Sequence, residues 1–284
     1  MQYIDKKNPE NSTKGHGIID SFIESAWNDE DNCYIGLTYD KLKYDCPSLL
    51  NLLIDEQKGY CCYCMRKLSI GQNTTIEHVI PKSIVASETE EIEYYEKYGQ
   101  LNRESIYVSG EHTLTSKLRT PPYPHFIAYE NLVASCNGKL LQQPLSKSSE
   151  NITGHCCNNR RGSNKIVPLF FFENVSELIS YATDGTIVFD EFNEEYDNTL
   201  KKINLKDNKT LSLVRKLWYL VSKQDYSIMD VNDAISCIEK RKDIIDDCLG
   251  FENPSTNDMF LENTNLWRLF SEFEWFFTYY SHAT

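Results

Sequence analysis

Apolar residues recur at helical spacing in several stretches of the chain. Ile18, Ile19, Phe22, Ile23, Ala26 and Trp27 fall on one side of a helix over 18–28, behind a polar arm over 1–15 that is expected to be extended. Asp45-Cys46-Pro47-Ser48 provides a cap and a proline suited to a first turn, which predicts a helix through Leu49, Leu50, Leu52, Leu53 and Ile54 that ends by Gly59. The period then changes: Asn73-Thr74-Thr75-Ile76 is β-branched, so a strand is expected there, closed by Glu77-His78 and stopped by Pro81. Glu88, Glu90, Glu91, Glu93 and Glu96 mark the solvated face of a helix, and Pro121, Pro122 and Pro124 a turn. Beyond these, 167–172 is an apolar strand or helix entry, 175–182 a short amphipathic helix, and Asp184-Gly185 a turn into a strand over 186–189. Helices are expected over 207–223 and 228–248. A last helix carries Leu266, Trp267, Leu269, Phe270, Phe273, Trp275, Phe276, Phe277, Tyr279 and Tyr280; core packing is its first reading and a docking surface for a partner its second.

Composition narrows the class. A hydrophobic fraction of 40% with 12% aromatic residues in 284 places the chain among folded proteins, long enough for one module with appendages. No apolar run nears the roughly 20 residues that span a bilayer, and Met1 to Lys7 has no signal-peptide core, so a cytoplasmic protein without a membrane partner is expected. The net charge of −13 argues against nucleic-acid binding until its distribution is read. Residues 1–59 carry 6 Lys+Arg against 11 Asp+Glu, 60–172 carry 12 against 10, and 173–284 carry 11 against 21. The central segment is therefore slightly basic between acidic flanks.

Ten cysteines in a cytosolic chain point away from disulfides, and Cys61-x-x-Cys64 has the turn spacing in which two thiolates face one metal, zinc by default. One pair is only a half-site, and a redox pair is the other reading, although no βαβ pattern surrounds it. Cys33, Cys46, Cys237 and Cys248 stand apart as small hydrophobes or spectators. His78 at a strand end suits general-base work because imidazole titrates near neutrality, and Glu77 beside it could hold a divalent cation. Taken alone, the pair is equally a surface acid and a satisfied core histidine. His112 and His125 fall in the segment between the informative blocks. No Gly-x-x-x-x-Gly-Lys-Ser/Thr occurs, so any nucleotide hydrolysis must come from another protein.

Two later blocks change the weight of the first two: Tyr129-Glu130-Asn131-Leu132-Val133-Ala134-Ser135-Cys136, then His155-Cys156-Cys157-Asn158-Asn159-Arg160-Arg161-Gly162. With Cys61-x-x-Cys64 and Glu77-His78-x-x-Pro81-Lys82-Ser83 ahead of them, the four blocks in this order resemble an HNH endonuclease. Within that superfamily the chain looks most like the PtuB-type proteins of Septu antiphage systems and of some retron systems. The likeness covers 60–165 well, 1–30 and 196–216 more loosely, and nothing is claimed for the C-terminus.

The resemblance implies an α+β protein in which a ββα-metal (HNH) module with a structural zinc site is embedded in mostly helical N- and C-terminal elaborations. The expected divisions are an arm and helices over 1–59, the module over 60–172 and a mostly helical region over 173–284. Zn²⁺ would be held by Cys61, Cys64, Cys136 and Cys156, with Cys157 as the rival fourth ligand. His78 would activate water and Asn131 would pin the loop that positions it. Glu77 with Asn158 or Asn159 would bind a catalytic Mg²⁺ or Mn²⁺, and Arg161, or Arg160 or Lys165, would meet the phosphate. The implied substrate is DNA and the implied partner an ATPase subunit of the PtuA (ABC/SMC-like) type, in some systems together with a retron reverse transcriptase and its nucleic acid. A zinc-stapled nucleic-acid-binding or adaptor subunit that does not cut is the reading from another class. This chain departs from the family pattern in its long 137–155 loop before the second cysteine block and in the Cys156-Cys157 doublet. Such a loop can bulge from a finger, because closure cost grows slowly with length.

Overall fold

In a computed structural model, the structure describes residues 1–84, 88–98, 100–111, 114, 116–140, 155–223, 231–239 and 266–282. The chain is α+β, mixed helix and short strands, and divides into two compact units that interleave along the sequence. The first is Met1–Cys62, Thr74–Ser135 and Gly162–Ser176; the second is Tyr63–Asn73, Cys136–Arg161 and Glu177–Thr284. The expected module over 60–172 is thus shared between the two units. Of the expected helix over 228–248, the part beyond 239 lies outside the described residues, as does His112.

The first unit opens with α1 (Pro9–Ala26), which buries Ile19, Phe22, Ile23 and Ala26 as the spacing predicts. It starts well before Ile18, so the polar arm is helical from residue 9. Asn8 is the reason: its side chain accepts from the backbone N–H groups of Glu10 and Asn11, and Pro9 sits in the first turn where its missing N–H costs nothing. Polarity had hidden this cap. Gly15 lies under the Tyr129 ring, where a Cβ would overlap the ring carbons. Gly15→Ala is therefore expected to destabilise by about 1–3 kcal/mol in a denaturant titration, opposite to the usual gain of about 1 kcal/mol for this change within a helix.

After α1, β1 (Trp27–Asn28) and β2 (Cys33–Tyr34) pair antiparallel. Helix α2 (Tyr39–Asp45) is capped by Thr38, and α3 (Pro47–Glu56) buries Leu49, Leu52 and Leu53 and ends ahead of Gly59, as expected. Strand β3 (Thr74–His78) is followed by α4 (Glu88–Glu96), and β4 (Ile106–Tyr107) pairs parallel with β5 (Tyr123–Pro124). A 3-10 turn at Tyr129–Asn131 leads into β6 (Leu132–Cys136), which is fully buried and forms a two-stranded sheet with β3. Gln57 joins α3 to β6: its side chain donates to Ala134 O at 2.7 Å and accepts from Ala134 N at 2.7 Å. Beneath lies a buried ion pair of Lys6 with Glu56, which also accepts from the Tyr129 hydroxyl. The residues at 169–171 form a 3-10 turn.

In the second unit, α5 (Cys157–Arg161) follows the long loop. Helix α6 (Val175–Leu178) gives way at once to β7 (Ile179–Tyr181), paired antiparallel with β8 (Ile187–Phe189). The amphipathic stretch expected as one helix over 175–182 is thus half strand, because Ile179 and Tyr181 bury alternately against the hairpin partner. The Asp184-Gly185 turn is found where expected, with Gly185 at φ +81°. Then come α7 (Glu194–Lys202), α8 (Lys209–Ser222), α9 (Val231–Glu239), α10 (Leu266–Ser271) and α11 (Trp275–His282). The aromatic C-terminal segment is two helices rather than one. It packs as core: Trp218 of α8 stacks on Phe270 at 4.0 Å and donates to its carbonyl, and Phe273, Phe276 and Tyr280 are buried. Among the described residues no helix is long and apolar enough to cross a membrane.

Candidate functional site

The CxxC turn follows α3 and is set by backbone: Cys62 N donates to Ala134 O at 3.2 Å, and Met65 just beyond takes a left-handed φ of +65°. β6 then delivers Cys136, and the backbone at 156–157 brings a fourth sulfur. The sulfurs of Cys61, Cys64, Cys136 and Cys157 all lie within 4.8 Å of one another and are buried. Cys157, not Cys156, completes the quartet, which corrects the sequence expectation. The reason is local. Cys156 closes the base of the long loop, its N–H bonded to Gly138 O at 3.0 Å, and its Sγ lies 3.7 Å from that carbonyl. Cys157 at φ +52°, with its N–H on Ile203 O, starts α5 and carries its own sulfur into the cluster. Gly138, at φ +72°, is pressed so closely on Cys156 that a Cβ would overlap its carbonyl. The insertion is therefore pinched shut at its stem, and its body at 141–154 lies outside the described residues.

The quartet fits a structural metal. A tetrahedral Zn–S length of about 2.3 Å requires sulfurs about 3.8 Å apart; Cys64 and Cys136 are 3.7 Å apart, and none of the four is in a disulfide. Four thiolates around Zn²⁺ carry a net charge near −2, and a cation answers it. Arg66 donates to Lys139 O at 2.7 Å and pairs with Glu272. Burial alone would lower its guanidinium pKa, but Cys136, Glu272 and Cys64 outweigh burial and hold it above the usual value. Lys67 ties the same turn to Glu272 and Glu274, which is why the aromatic segment breaks between α10 and α11.

The second centre lies in the first unit. Glu77 and His78 end β3 and are each only 6% exposed. His78 Nε2 is 3.0 Å from the Phe126 carbonyl, which can only accept, so Nε2 carries a proton. Tyr39 packs edge-on against the imidazole at 4.4 Å and donates its hydroxyl to Ile76 O. Burial first, and then the charges of Glu77 and Asp40, push the Tyr39 pKa up and keep that hydroxyl protonated.

Asn131 organises the backbone around His78. Its Oδ1 accepts from Ile80 N at 2.6 Å, its Nδ2 donates to Ile80 O at 2.9 Å and His125 O at 2.7 Å, and its own carbonyl accepts from Val79 N. One amide thus ties the segment after His78 to the segment that supplies the Phe126 carbonyl. Glu130, next to it, is held by His16 at 2.6 Å. His125, set aside in the sequence, braces the same loop: Ser109 N donates to its Nδ1, and its Nε2 reaches Pro81 O, each at 3.3 Å. Burial pushes its pKa down to about 4. A histidine with a depressed folded pKa contributes stability at neutral pH that is lost as pH falls from about 6.5 toward 4. Going from pH 7 to pH 5 should cost about 2 kcal/mol through this residue. His125→Gln should flatten that part of the pH dependence in urea titrations; an unchanged slope would contradict the assignment.

The remaining candidates are placed as follows. Asn158 is half-buried and Asn159 and Arg160 are exposed on α5, while Arg161 is buried at 1% exposure. Lys165 sits over the Tyr94 ring at 4.7 Å. His155 is exposed and stands outside the cysteine quartet, with its carbonyl accepting from Asn204. Glu77 and His78 belong to the first unit, Asn158, Asn159 and Arg161 to the second. Gln57 and His125 are the structural supports that motif reading missed, since neither carries a spacing signal. No known family model matches this chain, and no curated protein matches it.

Proposed function

We propose that this chain is a metal-dependent HNH endonuclease that hydrolyses phosphodiester bonds of DNA. The observation that carries this reading is the His78 arrangement: an imidazole at a strand end, its tautomer fixed by the Phe126 carbonyl and its flanking backbone clamped by Asn131. Nδ1 takes a proton from water, and the hydroxide attacks phosphorus in line with the leaving 3′ oxygen. Asn131 holds the base in place while this happens. Glu77 offers a carboxylate ligand for Mg²⁺ or Mn²⁺, which when bound would stabilise the charge building on the phosphate and the leaving oxygen. Zinc in the cysteine quartet is scaffold, since four sulfurs leave no open position for substrate.

In this reading the protein is the cytoplasmic effector of an antiphage complex, and an ATPase subunit supplies the nucleotide hydrolysis for which the chain has no motif. The burial of Glu77 and His78 favours the second reading, a zinc-stapled adaptor that binds nucleic acid without cutting. Plasmid DNA incubated with the protein and its ATPase partner separates the two. Nicking that depends on added Mg²⁺ or Mn²⁺ is expected; binding without cleavage under every metal would establish the adaptor instead.

A further inference from the structure

A groove of about 580 Å³ opens in the first unit; Tyr3, Lys7, Lys97, Tyr98, Gln100 and Phe172 line it together with Asp5 and Glu173. From its chemistry we propose that it binds a purine nucleotide. Gln100 is 6% exposed, its Nε2 donates to the Tyr3 hydroxyl at 3.1 Å, and its Oε1 is buried with no hydrogen-bond partner. A buried acceptor left unpaired is costly, and a ligand N–H in the groove would satisfy it. Turning the amide over would exchange the roles but would still leave one buried polar atom for the ligand.

The rest of the lining suits a base with a phosphate attached. Tyr98 and Phe172 are half-buried and lie 5.6 Å apart at 35°, so they present flat aromatic surface. Lys97 rests over the Tyr94 and Tyr98 rings at 4.6 and 4.8 Å. An exposed cation–π contact is weaker than stacking of a base on an aromatic ring, so a base can displace the ammonium from Tyr98. Lys97, which also lies over Tyr94, and the exposed Lys7 are the cations that line the groove for the phosphate. Asp5 and Glu173 leave the groove near neutral overall, which disfavours a bare polyanion and favours a ligand that brings N–H donors along with its charge. The purine supplies those donors from its exocyclic amine, and the groove volume is that of a small-molecule site.

A free nucleotide and a nucleotide within a single strand carry the same chemistry, and the test has an arm for each. AMP, GMP, inorganic phosphate and a short dA/dG oligonucleotide are titrated onto the full chain without divalent metal, so that binding is read apart from any cleavage. Saturable binding of a mononucleotide or of the oligonucleotide is expected, with phosphate alone far weaker. Tyr98→Ala should weaken it about tenfold. Lys97→Ala, at an exposed position that leaves the fold intact, should weaken it too, and Gln100→Leu should lower the preference between AMP and GMP. No saturable binding of any nucleotide at millimolar concentration, binding of phosphate as tight as of nucleotide, or binding indifferent to Tyr98→Ala and Lys97→Ala would overturn the proposal.

Discussion

Cys157→Ser is expected to strip the metal from the protein, while Cys156→Ser leaves it bound. Sequence alone favours the opposite outcome, so the pair of variants is a sharp test of the cysteine quartet. The four sulfurs of Cys61, Cys64, Cys136 and Cys157 converge from three separate stretches of chain, at a spacing that one tetrahedral ion would satisfy. A structural zinc of this kind is worth about 10–16 kcal/mol in small fingers, more than the whole net stability of most domains. Loss of one ligand should drop the zinc content from about one per chain to near zero and lower the melting temperature steeply. Cys156→Ser removes a sulfur outside the quartet that touches Gly138 O and, at 3.4 Å, the Cys157 sulfur, so its effect should be limited to the loop stem and that one contact. Elemental analysis of both purified variants reads the result. Zinc retained by Cys157→Ser and lost by Cys156→Ser would reverse the assignment.

Asn131→Ala should be the second large effect. The substitution leaves Ile80 N, Ile80 O and His125 O without their partner in a region where Asn131, His125 and Ile80 are fully buried. At about 1–3 kcal/mol for each stranded group, a loss of about 3–5 kcal/mol is expected, since some of the cost relaxes away. Cleavage should fall further than stability explains. The Phe126 carbonyl and the chain after His78 are then no longer tied together, and a displacement of about 1 Å at the base costs about a hundredfold in rate. Asn131→Asp keeps the acceptor for Ile80 N but loses both donors, so it should fall between wild type and alanine. Denaturant titration and single-turnover cutting of the same preparations give both numbers.

Much of this was written in local pattern. The α3 helix, the β3 strand with His78 at its end, the Asp184-Gly185 hairpin and the pairing of Cys61 with Cys64 each follow from spacing or from a turn residue with a known backbone preference, whereas Cys136 entered only through the family resemblance. The part that did not follow depends on backbone partners far away in sequence. Cys156 and Cys157 are neighbours of the same type, and only the bonds of Cys156 N to Gly138 and of Cys157 N to Ile203 decide which sulfur turns inward. The start of α1 was concealed because the cap at Asn8 and Pro9 lies among polar residues that resemble a tail. The break between α10 and α11 is imposed by Glu272 and Glu274 reaching back to Arg66 and Lys67, some two hundred residues earlier in the chain. Gln57 and His125 support the candidate centres through single side-chain bonds to backbone, which leave no trace in composition or period.

The nuclease reading rests on His78 as base. The most direct test is cleavage of supercoiled plasmid by the chain with its ATPase partner in Mg²⁺ or Mn²⁺, comparing wild type with His78→Ala at equal zinc content and matched melting temperature. A fall in rate of about 10²–10⁴, with zinc and DNA binding unchanged, is predicted. Equal cutting by the two proteins would contradict it.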